Sequence, residues 1–438
     1  MTPDPAGQDP WPSAPRTVAQ HAAAVLALLD GVTLDPGPVP LRFAGGGVLA
    51  EDVVAGLDLP PFANAQMDGY AVRADELRAA RDEDGAATLP LTAAVPAGAA
   101  PPPLPPGTAA PIMTGAMLPA GADAVVPVEE TDPAGFPAWL ADADPRPPAG
   151  ARVRFAAGGA VTDTGRFVRP AGSDLPRGAT ALTAGTRLTP AAAGLLAALG
   201  RHVVALRRPL RVLLYSTGSE VVEPGMPLAP GQIHDANSTI LRTALSACGA
   251  RVASARLVAD APAALLAALD ADVREVEPDL VISSGGISRG AFEVVKQALG
   301  ARGVAFGAVA MQPGGPQGAG LLDVGAARIP FLGFPGNPVS TLVSVETFLR
   351  PALAARFGAP ARPRFRAALA EPVTPLPGKQ QFRRGLLTAT ESGPTVRLVG
   401  GPSSHLLHAA ATADVLVHLP MTAQTLPAGA PVTVTPLD

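Results

Sequence analysis

The segment at residues 279–300 reads DLVISSGGISRGAFEVVKQALG and contains the transition that decides the fold. An apolar run at 280–282 stops at Ser-Ser-Gly-Gly, and a helical pattern carrying Glu293 and Lys296 follows. This order predicts a buried strand, a turn of nearly bare backbone, and a helix. Glycine lets a ligand approach the backbone, and a following helix directs free N–H groups at it. We therefore expect the turn to receive an anion such as phosphate.

The same strand–turn–helix unit recurs between residues 208 and 358. The strand-like runs are RVLLYSTG, RVASARLVAD, DLVISSGG and FLGFPG, and a helical pattern follows each of them. This alternation predicts a doubly wound, mostly parallel α/β domain. Ligands of such sheets bind beyond the carboxyl ends of the strands, where this chain carries glycines with polar and acidic residues.

The flanking segments have a different character. Residues 1–15 are dominated by proline and polar residues, which predicts a disordered tail. Short β-type runs between Pro/Gly clusters predict a small β-rich domain at 53–161, and a second small β domain follows at 359–438. The fold class is thus α/β multidomain, as 438 residues are too many for one ordinary core.

Composition excludes several classes of protein. Charged residues make up 16% of the chain and the formal net charge is −4, without a basic stripe for nucleic acid. Cys248 is the single cysteine, which excludes an intrachain disulfide and a thiolate zinc site. No apolar run approaches the roughly 18 residues of a membrane span, and the first residues lack the pattern of a secretory signal. We expect a cytoplasmic protein.

Carboxylates provide a second chemical ingredient. Asp68, Glu220, Asp235, Asp260 and Glu293 lie in or beside Gly/Ser-rich segments. Two or three of them converging with a phosphate would hold Mg²⁺, which prefers oxygen ligands. The chain has no P-loop, no GxGxxG fingerprint and no HExxH motif, so an ordinary ATP, NAD or zinc-hydrolase site is not indicated. A metal-assisted transfer on a phosphorylated small molecule fits best.

Several motifs together resemble one family, the molybdopterin molybdenumtransferases of the MoeA and gephyrin E-domain type. The resemblance runs from about residue 16 to the end of the chain. Its segments are PPFANAQMDGYAVRADEL (60–77), IMTGAMLPAGADAVVPVEE (112–130), VRPAGSDL (168–175), YSTGSEV (215–221), GQIHDANS (231–238), DLVISSGGIS (279–288) and LGFPGNPVS (332–340).

The resemblance implies an architecture. A discontinuous N-terminal domain would comprise 16–52 and 162–207, with 53–161 inserted into it. The α/β domain at 208–358 would bind molybdopterin, and 359–438 would form a β-barrel-like domain. An elongated homodimer is implied, with the site in a cleft between domains and subunits.

The resemblance also implies a reaction and site residues. Molybdate would be inserted into adenylylated molybdopterin, with Mg²⁺ required and AMP released. The catalytic residues would be Asp68, Glu220, Asp260 and Glu293, of which the first three would bind the metal. The substrate-binding residues would be Thr114, Asp174, Thr217, Ser284, Gly285, Gly286, Ser288, Arg289, Pro335, Gly336, Asn337, Arg384 and Ser404.

The chain departs from the family pattern in one stretch. Relatives commonly carry lysines at the positions of Ala308, Gln312 and Gly315, and Arg289 is a candidate replacement for one lost charge. Two alternatives stay open: the departure favours the first, and the second is carried because related α/β domains do that work. One is a non-catalytic molybdopterin-binding or scaffold protein that contacts partner enzymes of the cofactor pathway or molybdoenzymes. The other is a molybdopterin adenylyltransferase.

Overall fold

The structure is a computed structural model that describes residues 11–142, 146–258, 261–287 and 294–437. The α-helices within these residues are α1 (Val18–Leu28), α2 (Ala74–Ala79), α3 (Pro190–Ala198), α4 (Ala236–Ala247), α5 (Pro262–Val276), α6 (Val294–Leu299), α7 (Pro338–Ser344), α8 (Arg350–Phe357) and α9 (Leu407–Ala411). A π-helical turn at Val345–Leu349 joins α7 to α8. None of these helices has the length and apolarity that crossing a membrane requires.

The strands before the α/β sheet are β1 (Pro36–Pro40), β2 (Val53–Val54), β3 (Asn64–Ala65), β4 (Gly69–Val72), β5 (Ala87–Pro90), β6 (Ala110–Ile112), β7 (Ala124–Pro127), β8 (Arg152–Phe155), β9 (Val168–Arg169), β10 (Thr180–Leu182) and β11 (Val203–Arg207). Those of the central segment are β12 (Arg211–Thr217), β13 (Val221–Val222), β14 (Ile233–His234), β15 (Arg251–Val258), β16 (Leu280–Ser284), β17 (Val304–Ala308), β18 (Met311–Gln312), β19 (Pro316–Val324) and β20 (Ala327–Phe334). The last strands are β21 (Phe365–Leu369), β22 (Gln380–Thr390), β23 (Gly393–Val399), β24 (Val415–Leu419) and β25 (Pro431–Pro436).

The central sheet has the predicted, mostly parallel character. Its strand order is β15-β12-β16-β20-β19-β17, with the first four strands parallel and β19 and β17 added as antiparallel neighbours. All five residues of β16 are buried, as expected for a strand that helices cover on both faces. The four parallel strands therefore end at the same edge of the sheet.

Alternate side chains of β12 divide between two hydrophobic cores. Val212 and Leu214 face a core formed with α1, α4, α7 and α8, whereas Leu213 and Tyr215 face the core beneath α5 and α6. Successive side chains of a strand point to opposite faces of the sheet, which explains this division between the two cores. The first core continues into the C-terminal domain through Phe382 of β22, which joins the α/β and C-terminal domains into one packed body.

Helix α1 packs on the central domain, although its segment at 16–52 is predicted to lie in the discontinuous N-terminal domain. Thr17 starts the helix with a capping box, since its hydroxyl accepts from Gln20 N–H and its own N–H donates to Gln20 Oε1. Val25 is then completely buried against the central core. Helical periodicity shows which face of α1 is apolar but not what covers it, and the structure supplies the central core as its partner.

Trp11, in the segment predicted to be a disordered tail, makes defined contacts. Residues 1–10 lie outside the described residues, but Trp11 donates its indole N–H to the carbonyl of Ala308 at 3.2 Å. Its ring lies 4.2 Å from the guanidinium carbon of Arg16 and 5.2 Å from the ring of His21. The Trp11 ring buries apolar area and forms a hydrogen bond, and these interactions order its segment despite the proline-rich composition.

The discontinuous unit is held together by strands from both of its segments. β1 pairs with β11 and β2 pairs with β10, both antiparallel. Leu49 and Val53 from the first segment share a core with Leu196 and Val204 from the second. The inserted unit has its own three-stranded sheet β6-β4-β7, and β5 pairs with β8 beside it.

The C-terminal unit is a small β-barrel. Its strands follow the order β22-β23-β21-β25-β24, and β22 also pairs with β24, which closes the ring. Strand β18, which precedes β19 of the central sheet, adds to this ring by pairing in parallel with β22. The central and C-terminal domains therefore share backbone hydrogen bonds as well as a core.

We predict that α1 contributes to the stability of the central domain through Val25. Val25→Ala should lower the free energy of unfolding by about 2 kcal/mol, because it removes two buried methyl groups and leaves a cavity. The measurement is urea denaturation combined with amide hydrogen exchange of α1. The adjacent Leu26, which is 36% exposed, provides the control, since Leu26→Ala should change little. Equal effects of the two variants would contradict the docking of α1.

We also predict a pH dependence that arises from His21. Its ring is completely buried, lies 4.6 Å from the ring of Phe348, and neither nitrogen has a hydrogen-bond partner. Burial, with a smaller contribution from Arg16, lowers the pKa of His21 to about 3. Between about pH 6.5 and about pH 3 the unfolded state therefore binds a proton at His21 that the folded state does not bind. The free energy of unfolding falls as pH drops through this range, by up to about 1.4 kcal/mol per pH unit.

The variant His21→Phe should remove this component of the pH dependence of α1 hydrogen exchange. His202 is exposed and is the matched control, so His202→Phe should leave the profile unchanged. A His21→Phe protein with the same pH profile as the wild type would show that another group is responsible.

Candidate functional site

A cavity of about 1070 Å³ lies where β12, β16 and β20 end, between the central domain and the barrel. The residues that line it share small size or polar character, with few charged groups. They include Ser216–Glu220 after β12, Ser284–Ile287 after β16, Met311–Pro316, Pro335–Pro338 after β20, and Lys379 with Pro402–Ser404 from the barrel. The three strand-end turns singled out in the sequence therefore meet in one hollow, and the barrel provides its opposite wall.

Close packing of backbone builds the base of this cavity. Gly285 has a φ of 92°, and a β-carbon there would lie 2.7 Å from the carbonyl oxygen of Thr217. A β-carbon on Gly336 would touch the Cα of Gly285 at 3.4 Å. A side chain at Gly285 would push apart the ends of β12 and β16, whereas a β-carbon on Gly336 would lie at ordinary contact distance. The glycines therefore keep backbone amides at the cavity surface.

Two hydroxyl groups in the cavity wall are buried without a hydrogen-bond partner. They are Thr217 Oγ1 and Ser284 Oγ, and both residues are less than one-tenth exposed. A buried hydroxyl that stays unpaired costs about 1–3 kcal/mol. A polar ligand in the cavity would relieve this cost, and both residues are among the predicted substrate-binding set.

The acidic residues of the wall have different environments. Asp235 is buried and caps α4, since its carboxylate accepts from the N–H of Ser238 at 3.0 Å and from its hydroxyl at 2.6 Å. Glu220 is exposed, and its carboxylate oxygens lie within 2.9 Å of the place a β-carbon on Gly218 would occupy. Asp235 thus stabilises the helix, while the carboxylate of Glu220 is available to a ligand.

Asp68 and Thr114 form a pair in the inserted unit. Both the N–H and the hydroxyl of Thr114 donate to Asp68 Oδ1, at 2.7 and 2.8 Å. Neither residue lines the cavity, and neither does Asp174. The described residues of one chain therefore do not bring Asp68 to Glu220, and no group of three or more His, Cys, Asp or Glu among them could hold a metal ion. Of the predicted metal trio, Asp68 and Glu220 do not share a cavity among the described residues, and Asp260 lies outside them, so the trio stays a prediction.

Arg384 supports the cavity from behind. Its side chain is completely buried and donates to the carbonyl oxygens of Gly401 at 2.6 Å and Ser403 at 3.3 Å. Burial, reinforced by the charge of Arg383, lowers the pKa of Arg384. Arg384 does not line the cavity, but its Nε and Nη1 atoms are buried without a hydrogen-bond partner, and its role in substrate binding stays a prediction.

Ser404 and Asn337 join the two walls of the cavity. Asn337 Nδ2 donates to Ser404 Oγ at 2.9 Å, so the turn after β20 is tied to the barrel loop. Asn237 of α4 donates to the carbonyl of Gly336 at 2.7 Å and fixes the same turn from the other side. Sequence reasoning missed Asn237, although the segment GQIHDANS that contains it was recognised.

Four predicted site residues lie outside the described residues, namely Asp260, Ser288, Arg289 and Glu293. The three family positions that lack lysine are described. Gln312 and Gly315 line the cavity, whereas Ala308 lies behind it and its carbonyl accepts from Arg16 N–H at 2.9 Å and from Trp11.

Comparison with known proteins identifies the family of this chain. The MoeA N-terminal region (domain I and II) matches residues 16–200, a probable molybdopterin-binding domain matches 214–355, and the MoeA C-terminal region (domain IV) matches 366–437. The chain belongs to the MoeA family. Molybdopterin molybdenumtransferase 2 of Mycobacterium tuberculosis is 41% identical over 92% of this chain and 95% of its own length.

Other MoeA relatives agree with this assignment. The molybdopterin molybdenumtransferase of Haemophilus influenzae is 32% identical over 91% of this chain and 93% of its own length. The crystal structure of the molybdopterin biosynthesis MoeA protein from Pyrococcus horikoshii superposes with a TM-score of 0.77 at 28% identity, and covers 97% of this chain and all of that one. Because almost the whole chain is covered, the similarity includes all the MoeA regions, and with them the barrel that forms one wall of the cavity.

We predict that Gly285 is required for an intact cavity. Gly285→Ala should lower the affinity for a pterin nucleotide at least tenfold, because the methyl group collides with the Thr217 carbonyl at a φ that L-residues rarely adopt. Equilibrium dialysis measures the affinity, and circular dichroism checks the fold. Gly31→Ala is the control, since a β-carbon there meets nothing within 4 Å. Equal affinity in both variants would contradict the role of Gly285.

Proposed function

We propose that this chain is a molybdopterin molybdenumtransferase, which inserts molybdate into adenylylated molybdopterin, releases AMP and yields the molybdenum cofactor. The observation that supports it most directly is the cavity at the strand ends, with exposed backbone and the unpartnered Thr217 and Ser284 hydroxyls, in a chain of the MoeA family. The sulfur ligands of molybdenum come from the substrate, so the single buried cysteine of the chain is no obstacle. We expect the reaction in the cytoplasm.

The residues of the chain would bind and orient the substrate. The backbone around Gly285 and Gly336 would cradle the phosphates, and the hydroxyls of Thr217 and Ser284 would donate to their oxygens. Enclosure between the central domain and the barrel would exclude bulk water, which strengthens every polar contact with the substrate. These interactions would hold the dithiolene and the incoming molybdate close together.

Mg²⁺ fits the chemistry of the donor set. Mg²⁺ is bound in proteins by one or two carboxylates together with substrate phosphates and water, and Glu220 offers such a carboxylate in the cavity wall. The ion would neutralise charge on the phosphates of the substrate. We further propose a homodimer in which Asp68 and Thr114 of one subunit complete the cavity of the other, since they do not line it within their own chain. The product would pass from this cavity to other enzymes of cofactor biosynthesis or to molybdoenzymes.

One assay tests this function. The purified protein is supplied with adenylylated molybdopterin, Mg²⁺ and molybdate, and the release of AMP and the formation of active cofactor are measured. We predict that Glu220→Gln lowers the rate of AMP release about 10- to 100-fold, because it removes a charge-assisted contact of about 1.5–3 kcal/mol. Glu223→Gln, at an exposed position that does not line the cavity, should retain the wild-type rate.

Other results would support a different function. Tight pterin binding without AMP release would indicate the scaffold protein, which the missing lysines at Ala308, Gln312 and Gly315 favour. Formation of adenylylated molybdopterin from ATP would indicate the adenylyltransferase. Either result would contradict the proposed transferase.

A further inference from the structure

Lys379 is the one cationic side chain among the described residues that line the cavity. The other charged groups of that wall are the carboxylates of Glu220 and Asp235. A dianion that enters next to two carboxylates needs a positive partner, because an unpaired buried charge is expensive. Lysine is also rare in this protein, where Lys296 is the only other example.

The barrel places Lys379 close to the chain that leads into β18. Lys379 immediately precedes β22, which pairs in parallel with β18 so that Met311 is opposite Gln380 and Gln312 is opposite Gln381. The N–H of Gln380 also donates to the carbonyl of Ala310 at 2.9 Å. This short ladder crosses from the central domain to the barrel and places Lys379 level with Ala310, two residues before Gln312. Lys379 and Gln312 both line the cavity.

A chain of amide hydrogen bonds orients the Gln312 side chain. The N–H of Leu376 can only donate, and it donates to Gln381 Oε1 at 3.0 Å. Gln381 is buried, and its Nε2 group therefore donates to Gln312 Oε1 at 2.6 Å. Since the oxygen of Gln312 is engaged, its Nε2 group is left as a donor in the cavity wall.

Ser404 offers a third donor from the barrel loop. Its oxygen accepts from Asn337 Nδ2 at 2.9 Å, which leaves its hydroxyl proton for another acceptor. An ammonium, an amide N–H and a hydroxyl thus line the cavity where β18 and the barrel border it. A tetrahedral oxyanion presents several acceptors and matches this set of donors.

We propose that Lys379 and Gln312 Nε2 bind the molybdate oxyanion, with Lys379 supplying the positive charge and Gln381 positioning Gln312. This assignment rests on the proposed function and names residues that serve its inorganic substrate. Molybdate is favoured over the substrate phosphates because the phosphate-binding backbone lies at the strand ends around Gly285 and Gly336, whereas Lys379 belongs to the barrel wall.

The test is isothermal titration calorimetry, in which the full-length protein is titrated with sodium molybdate. Lys379→Ala should raise the Kd for molybdate about 10- to 100-fold, as expected for the loss of one charge-assisted contact. Lys379→Arg should remain within about threefold of the wild type, since the charge is kept. Lys296→Ala is the matched control, because Lys296 is an exposed residue of α6 outside the cavity wall.

A relocated charge separates binding from folding. In the double variant Lys379→Ala/Gln312→Lys, a lysine on the neighbouring strand should recover at least half of the lost affinity on a logarithmic scale. Gln381→Leu should weaken molybdate binding less than Lys379→Ala does, while the Kd for pterin nucleotide stays unchanged in both. If the wild type gives no measurable heat, the same variants are ranked by the molybdate KM for AMP release.

Distinct results would overturn this proposal and the proposed function. An unchanged molybdate Kd in Lys379→Ala, with AMP release intact in the wild type, overturns the assignment of Lys379 and leaves the transferase standing. A weaker Kd for pterin nucleotide with normal molybdate binding assigns Lys379 to a phosphate and also overturns it. Molybdate binding that depends on Lys379 without any AMP release supports the site and contradicts the transferase.

Discussion

The contact between the ends of β16 and β20 is the constraint on which the site depends. A β-carbon on Gly285 would lie 2.7 Å from the Thr217 carbonyl oxygen, and one on Gly336 would contact the Cα of Gly285 at 3.4 Å. Thr217 at the end of β12 lies against the same point, so three parallel strands end within one small region. Since the polar backbone of their turns has few side chains above it, a ligand can take the hydrogen bonds that side chains would otherwise block.

The barrel turns this open sheet edge into a cavity. An edge formed by strand ends alone is exposed to water, which weakens its electrostatic interactions with a charged ligand. Here β18 leaves the central domain to pair with β22, and Asn337 bonds to Ser404 across the gap. Phe382 packs into the core of the central domain behind this wall. A ligand in the cavity thus contacts two domains whose relative position is fixed by packing and hydrogen bonds.

Much of the central sheet could be predicted because strand-like runs alternate with helical patterns along the chain. This signal identifies β12, β15, β16 and β20, but it fails for β19, whose sequence PQGAGLLDV is interrupted by glycines. Gly318 and Gly320 are there because Phe306 and the backbone of Gly303 would collide with a β-carbon. Glycines that allow two strands to pack closely have the same composition as glycines of a loop, so sequence alone does not separate the two cases.

The site could be predicted only in part, because sequence reasoning gave most weight to acids and conspicuous motifs. The turns at Gly285 and Gly336 are correctly predicted to share a cavity, and Glu220 lines it. Lys379 and Gln381 were missed because their relation to Gln312 exists only through the β18–β22 pairing, which joins segments far apart in the chain. The loss of lysines at Gln312 and Gly315 therefore does not by itself leave the cavity without a positive charge. Lys379 lines the same cavity from the start of β22, and the β18–β22 pairing brings it into the wall that Gln312 also lines, although the two positions are far apart in the sequence.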